Sequence, residues 1–74
     1  MKVKSIAKNQ TVIITDSMDI FISYETPVAC FINGQGYFRT DKKWSATTTK
    51  HINKWLDGAK AIEKDQSFFD NLIA

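Results

Sequence analysis

The sequence predicts an α+β domain: a small antiparallel β-meander of three to five strands, with one face packed by a helix at about 46–57 and a second short helix at about 66–73. Three observations carry that expectation. The first forty residues are rich in β-branched and aromatic residues and are broken by turn-forming residues. From residue 46 the apolar positions recur at helical spacing. Strands come first and helices after, which groups the helices on the sheet rather than interleaving them with it.

The elements follow in chain order. "KVKSI" (2–6) reads as an edge strand whose lysines discourage edge-to-edge pairing with other chains. "TVIIT" (11–15) is β-branched throughout. Asp16-Ser17 makes a tight turn into "MDIFISY" (18–24), where Met18, Ile20, Ile22 and Tyr24 alternate with Asp19, Phe21 and Ser23, the period of a half-buried strand. "VACFI" (28–32) is entered through Pro27, which lacks an N–H and suits a strand's first residue or an edge. "NGQG" (33–36) is a hairpin signal because both Asn33 and Gly34 tolerate positive φ, and "YFRT" (37–40) is the returning strand. In the first helix Thr48, Ile52, Trp55, Leu56 and Ala59 form the core stripe, with Thr47, Lys50, Lys54 and Asp57 opposite. Ser45 is placed to cap its start and Gly58 to close its end. Asp65 is placed to cap the second helix, whose apolar face is Phe68, Phe69, Leu72 and Ile73.

Seventy-four residues make one domain, 1–74. A chain of this size buries only about 60% of its unfolded surface. One cysteine, Cys30, excludes an internal disulfide, and one Cys with one His excludes a four-ligand zinc site, so no metal and no cofactor is expected. Stability rests on packing, with self-association as a homodimer the remaining route to added burial. No apolar stretch is long enough to span a membrane, and the N-terminus lacks the apolar segment of a signal peptide. The lone thiol fits a reducing cytoplasm. In that compartment the glycosylation pattern Asn9-Gln10-Thr11 is a chance match.

The net charge of +2 conceals an asymmetry. Residues 1–36 are balanced and residues 55–74 carry −2, while residues 37–54 carry +4: Arg39, Lys42, Lys43, Lys50 and Lys54 against Asp41. Lys50 and Lys54 are one turn apart on the outer side of the first helix, and the other three lie just upstream. This basic face, 39–54, is the expected site of partner binding, since it attracts acidic protein surfaces and nucleic acid alike. Tyr37, Phe38, Trp44 and Trp55 are the aromatics near it; Trp55 is committed to the core stripe, and one of the consecutive pair Tyr37 and Phe38 is expected to face outward.

No catalytic constellation can be assembled. His51 has only Thr47 and Trp55 at i±4, neither a strong partner for proton transfer, and is expected to stack on Trp55 or bond a carbonyl. Cys30 lies mid-strand without an activating base. Asp16, Asp19 and Glu25 do not pair on one surface. "GQG" lies between strands, not before a helix, so it is a turn and not a phosphate loop. Thr47, Thr48 and Thr49 supply hydroxyls near a helix start, where backbone amides with Lys50 and Arg39 offer a place for an anion; inward packing of Thr48 is the simpler explanation. No helix-turn-helix, RNP or KH signature is present.

"SYETPVA" (23–29), "YFRTDKKWSATTTKHINKWLDG" (37–58) and "DQSFFDNL" (65–72) together resemble a family of small uncharacterised proteins of tailed bacteriophages and related mobile elements. The shared pattern runs S-Y-x-T-x-V-A, then W-S-x-T-T-x-(K/R)-H-I-x-x-W-L, then Q-x-F-F. The resemblance implies a phage origin and action inside the host cell, and it implies no activity. By analogy with small phage proteins as a class, the expected function is non-enzymatic binding: inhibition of a host protein or a defence complex such as CRISPR. The alternative is a nucleic-acid-binding regulator that uses the same basic face with an outward aromatic.

Overall fold

In a computed structural model that describes residues 1–73, the chain is an α+β domain. Among the described residues it has six strands and two helices: β1 (Lys2–Ala7), β2 (Gln10–Ile14), β3 (Met18–Ser23), β4 (Thr26–Ile32), β5 (Gly36–Thr40), α1 (Ala46–Leu56), β6 (Ala61–Lys64) and α2 (Gln66–Leu72). The strands lie in sequence order in one sheet. The first five form the expected antiparallel meander. β6 exceeds the expected number of strands and pairs parallel to β5, through Tyr37↔Ala61 to Thr40↔Lys64. A parallel neighbour needs a crossover, and α1 supplies it.

The helices do not share one face. Val12, Phe21, Val28 and Ala29 pack with Ile52 and Leu56 of α1, while Ile20, Cys30 and Phe38 pack with Phe69 of α2. β3 is therefore buried on both sides, and Phe21, read as lying on the polar side of a half-buried strand, is wholly buried. Tyr37 and Phe38 both point into packing, the first against Trp55 under α1 and the second against Phe68 under α2. Neither is an outward aromatic, because an expectation built on one open face does not hold for a sheet covered twice. Pro27 is the second residue of β4, next to an irregularity at which β3 and β4 change register.

The turns and caps follow local chemistry. Thr15 Oγ1 accepts from the Met18 N–H at 3.0 Å and closes the turn at Asp16-Ser17. In the β4–β5 hairpin only Gly34 of the Asn-Gly pair takes positive φ, 82°. Ser45 caps α1, accepting from the Thr48 N–H at 3.2 Å, and Asp65 caps α2, accepting from the Phe68 N–H at 3.1 Å. α1 ends on Asp57 in the left-handed region, with Gly58 following at φ 84°. No helix among the described residues is long and apolar enough to cross a membrane.

Cys30 is fully buried on the α2 side, and desolvation pushes its thiol from 9.0 up to about 11. Folding thus prefers the neutral thiol. Its contribution to stability is complete below pH 9.0 and is lost as the pH climbs towards about 11. We expect a soluble thiol reagent at neutral pH to label Cys30 only at the rate of unfolding, with labelling accelerated by urea. Prompt stoichiometric labelling of the native protein would contradict this placement.

Candidate functional site

The segment from β5 to α1 builds a groove from short-range chemistry. Thr40, the last residue of β5, accepts from the Lys42 N–H at 3.2 Å and donates its hydroxyl to Gln66 Oε1 at 2.9 Å. The chain is thereby turned outward, and Asp41 to Trp44 are exposed before Ser45 starts α1. Trp44 is still held: its Nε1–H donates to Gln66 Oε1 at 3.1 Å, and the Lys42 ammonium lies 4.2 Å from the centre of its ring. Between this loop, the edge of β5–β6 and the first turns of α1 is a groove of about 460 Å³, lined by Arg39, Asp41, Lys42, Lys43, Trp44 and Glu63 among others.

The five basic residues of the expected face do not converge on one point. Arg39, Lys42 and Lys43 line the groove, and Arg39 donates through Nη1 to Asn53 Oδ1 at 3.0 Å. Lys50 is exposed on the outer side of α1. Lys54 lies towards the β1–β2 corner, lining a separate depression with Ile6, Gln10 and Trp55. The parallel pairing of β6 also brings Glu63 opposite Arg39. Three cations and two carboxylates therefore line the groove, a smaller surplus than the charge count along the chain suggests. Folding dilutes a cluster that is dense in sequence.

A second cluster lies at the β3–β4 turn. Ser23 Oγ, on a residue only 2% exposed, is 2.8 Å from His51 Nδ1 of α1. Thr48 Oγ1 accepts from both Ser23 and Ser45 at 3.4 Å, and is buried, while Thr47 and Thr49 are exposed. The His51 ring is tilted against Tyr24, 5.7 Å between centres, so its stacking partner is Tyr24 and not Trp55, and its hydrogen-bond partner is a hydroxyl and not a carbonyl. Trp55 stacks instead on Phe21 at 5.2 Å. A serine beside a histidine suggests an activated nucleophile, but no carboxylate is hydrogen-bonded to His51 among the described residues, so nothing in that pair repeats the base–orienter geometry of such enzymes. The described residues also contain no group of three or more His, Cys, Asp or Glu side chains placed to hold a metal.

Tyr24, at 49%, and Trp44, at 37%, are the aromatics open to solvent here. Phe69 is fully buried and offers no binding surface. Spacing along the chain brought neither Ser23 nor Gln66 into view. A polar residue two positions after Phe21, at the same parity of β3, was the available signal for Ser23, because a hydroxyl on a core-facing position needs a partner. Gln66 had none beyond its place at the start of α2. No curated protein and no solved structure matches the chain. A family model does match, over residues 1–71, and by that match the chain belongs to a family of unknown function (DUF8033).

Proposed function

We propose that this chain is a small non-enzymatic binding protein of phage type, and that the groove at the head of α1 is its contact face for a host or defence-system protein, CRISPR complexes included. The observation that carries the reading is Trp44: a half-open indole, pinned by Gln66 and covered by Lys42, in a loop whose other side chains are exposed and largely cationic. Tryptophan with basic neighbours is the composition of an interface anchor, where a rigid aromatic supplies the contact and the charges steer an acidic partner towards it. The sequence resemblance to small proteins of tailed phages supports the origin and a site of action in the host cytoplasm.

One observation favours a second reading. Tyr24 and Trp44 are both open to solvent and line one cavity, and Lys42 lies over the Trp44 ring; single-stranded nucleic acid is held by such aromatic platforms. The salt dependence of binding separates the two. Loss with salt should be steep and log-linear for nucleic acid and shallower for a protein with an apolar anchor.

The test is the double replacement Lys42→Glu with Lys43→Glu, compared with Lys2→Glu with Lys4→Glu on the exposed strand β1. Both pairs are exposed, so each variant should fold, with stability changed by about 0.5 kcal/mol per site or less. Capture from host lysate, with and without nuclease, should be lost for the first variant and kept for the second. Equal capture by both would remove the groove from the contact face.

A further inference from the structure

We infer that the cavity next to the groove, between the β3–β4 turn and the first turn of α1, is a nucleotide site: a single base or sugar ring enters the cavity between Tyr24 and Trp44, and its phosphate rests in the groove at Lys42 and Lys43. This goes beyond the protein-binding reading and does not depend on it: the two share the groove with Lys42, Lys43 and Trp44, but the nucleotide site adds the cavity at the β3–β4 turn and is tested by small-molecule binding and not by protein capture.

The cavity holds about 230 Å³. Sites for drug-sized molecules run from about 300 to 1,000 Å³, so this one is matched to one ring and not to a chain of them. It is lined by the hydroxyl residues Ser23, Thr26, Ser45 and Thr48, of which Ser23 and Thr48 are buried, by Val28, and by the aromatic residues Tyr24 and Trp44. Hydroxyls turn to donate or accept as a ligand requires, which suits the mixed donor and acceptor edge of a base or the hydroxyls of a sugar. They are not loose: Ser23 is tied to His51 at 2.8 Å, and Ser23 and Ser45 both reach Thr48 at 3.4 Å. The aromatic walls supply stacking.

Two details of the backbone and loop point the same way. Tyr24 has φ 59°, a region that a bulky residue enters only at a cost. That conformation is held from outside the turn, by the Tyr24 N–H donating to the Asn9 carbonyl at 2.7 Å, and Tyr24 lines the cavity while staying half exposed. Lys42 lines the groove and not the cavity, with its ammonium 4.2 Å from the centre of the Trp44 ring, so the cation stands on the groove and is not among the residues that line the cavity. Trp44 and Thr48 belong to both spaces, so one ligand can occupy the two at once. In the groove Arg39, Lys42 and Lys43 stand against Asp41 and Glu63. That narrow surplus fits one phosphate group better than a triphosphate or a duplex backbone.

The experiment is an amide chemical-shift titration of the labelled protein with each of the ribonucleoside 5′-monophosphates, the corresponding nucleosides, inorganic phosphate alone, and a short oligothymidine. At least one monophosphate should saturate, moving amides of both 23–26 and 44–49, with the matching nucleoside at least tenfold weaker. Lys43→Gln should abolish that tenfold advantage. Tyr24→Gly removes the ring and relieves the backbone, so it should bind at least tenfold more weakly while melting no lower than the parent. An oligothymidine that produces the same shifts more tightly than the monophosphates identifies the ligand as a strand end or loop, and one that binds more weakly identifies a free nucleotide. Equal binding of nucleosides and nucleotides, competition by phosphate as strong as by any nucleotide, parent-like binding by Tyr24→Gly, or oligomer-induced shifts at Lys50 and Lys54 without any at 23–26 would each overturn the assignment.

Discussion

Phe69→Ala is expected to cost about 3–5 kcal/mol, the range for truncating a buried phenylalanine. At about 0.05–0.15 kcal/mol per residue a chain of 74 residues has roughly 4–11 kcal/mol in all. The loss is therefore between about a quarter of the margin and all of it. Phe69 is fully buried against Ile20, Cys30 and Phe38, in the row that crosses β3, β4 and β5. α2 has only seven residues, too few to hold a helix unaided, so the packing of its apolar face is what keeps it in place. Phe68, half-buried beside it, should cost clearly less when truncated. Urea melts followed by circular dichroism measure both. A Phe69→Ala variant that melts within a few degrees of the parent would mean that α2 does not cover the sheet, and the two-sided packing would have to be abandoned.

That second covered side is where the reading of the sequence fell short, and the reason lies in individual strands. In β2 the residues Val12, Ile13 and Ile14 are consecutive and apolar, which is the pattern of a strand with packing on both faces. The alternation seen in 18–24 outweighed it, although Phe21 at the supposedly polar parity already argued against an open side. Local signals did carry the five meander strands, both helices and both N-caps, since each is decided by side-chain chemistry within a few residues. β6 was missed because "AIEK" has no strand preference of its own. Its conformation comes from lying parallel beside β5 at the end of the α1 crossover, a fact of tertiary structure. Phe38, Ile20 and Cys30 became core on the α2 side for the same reason.

The groove was legible in part. Arg39, Lys42 and Lys43 adjoin in sequence and meet in space, because a short loop keeps neighbours together. Lys54 is only one turn from Lys50, yet it leans over the β1–β2 corner. Glu63 is 24 positions after Arg39 and reaches it only through the crossover. Ser23 and His51 are 28 apart in sequence, so a histidine judged by its neighbours at i±4 shows no partner. Pairings across a sheet and a helix are set by register, which single-sequence periodicity does not contain.

Gln66→Glu tests the support of the groove, with an expected loss of about 2–3 kcal/mol at neutral pH from two lost donors, one of them serving a buried carbonyl. The Gln66 amide is fully bonded: Oε1 accepts from Thr40 and Trp44, and Nε2 donates to the Pro27 carbonyl at 2.7 Å and to Asp70 Oδ1 at 3.1 Å. The opposite orientation of the amide would set its oxygen against a carbonyl and a carboxylate, so the chemistry fixes which end is nitrogen. In the variant a carboxylate oxygen takes that place. The acceptors for Thr40 and Trp44 survive, while Pro27, which is buried, loses its donor, and Asp70 gains a like charge as a neighbour. Asp70 is exposed and water screens the repulsion there, so the buried carbonyl carries most of the cost. The Pro27 carbonyl and Asp70 favour the protonated form of the new carboxyl, against the Thr40 and Trp44 donors, which favour the ionised one; with the buried carbonyl dominant, its folded pKa is expected to rise above the unfolded value of about 4.3. Stability relative to the parent is thus recovered below that unfolded value and lost as the pH rises through the folded one. Gln66→Met keeps the length of the side chain and removes all four bonds, so its deficit should not change with pH in this way, and its freed indole should shift Trp44 emission to longer wavelength. A deficit for Gln66→Glu that is flat from acid to neutral pH and equal to that of Gln66→Met would show that the amide does not bridge Pro27 and Asp70, and that Trp44 is held in the groove by something other than α2.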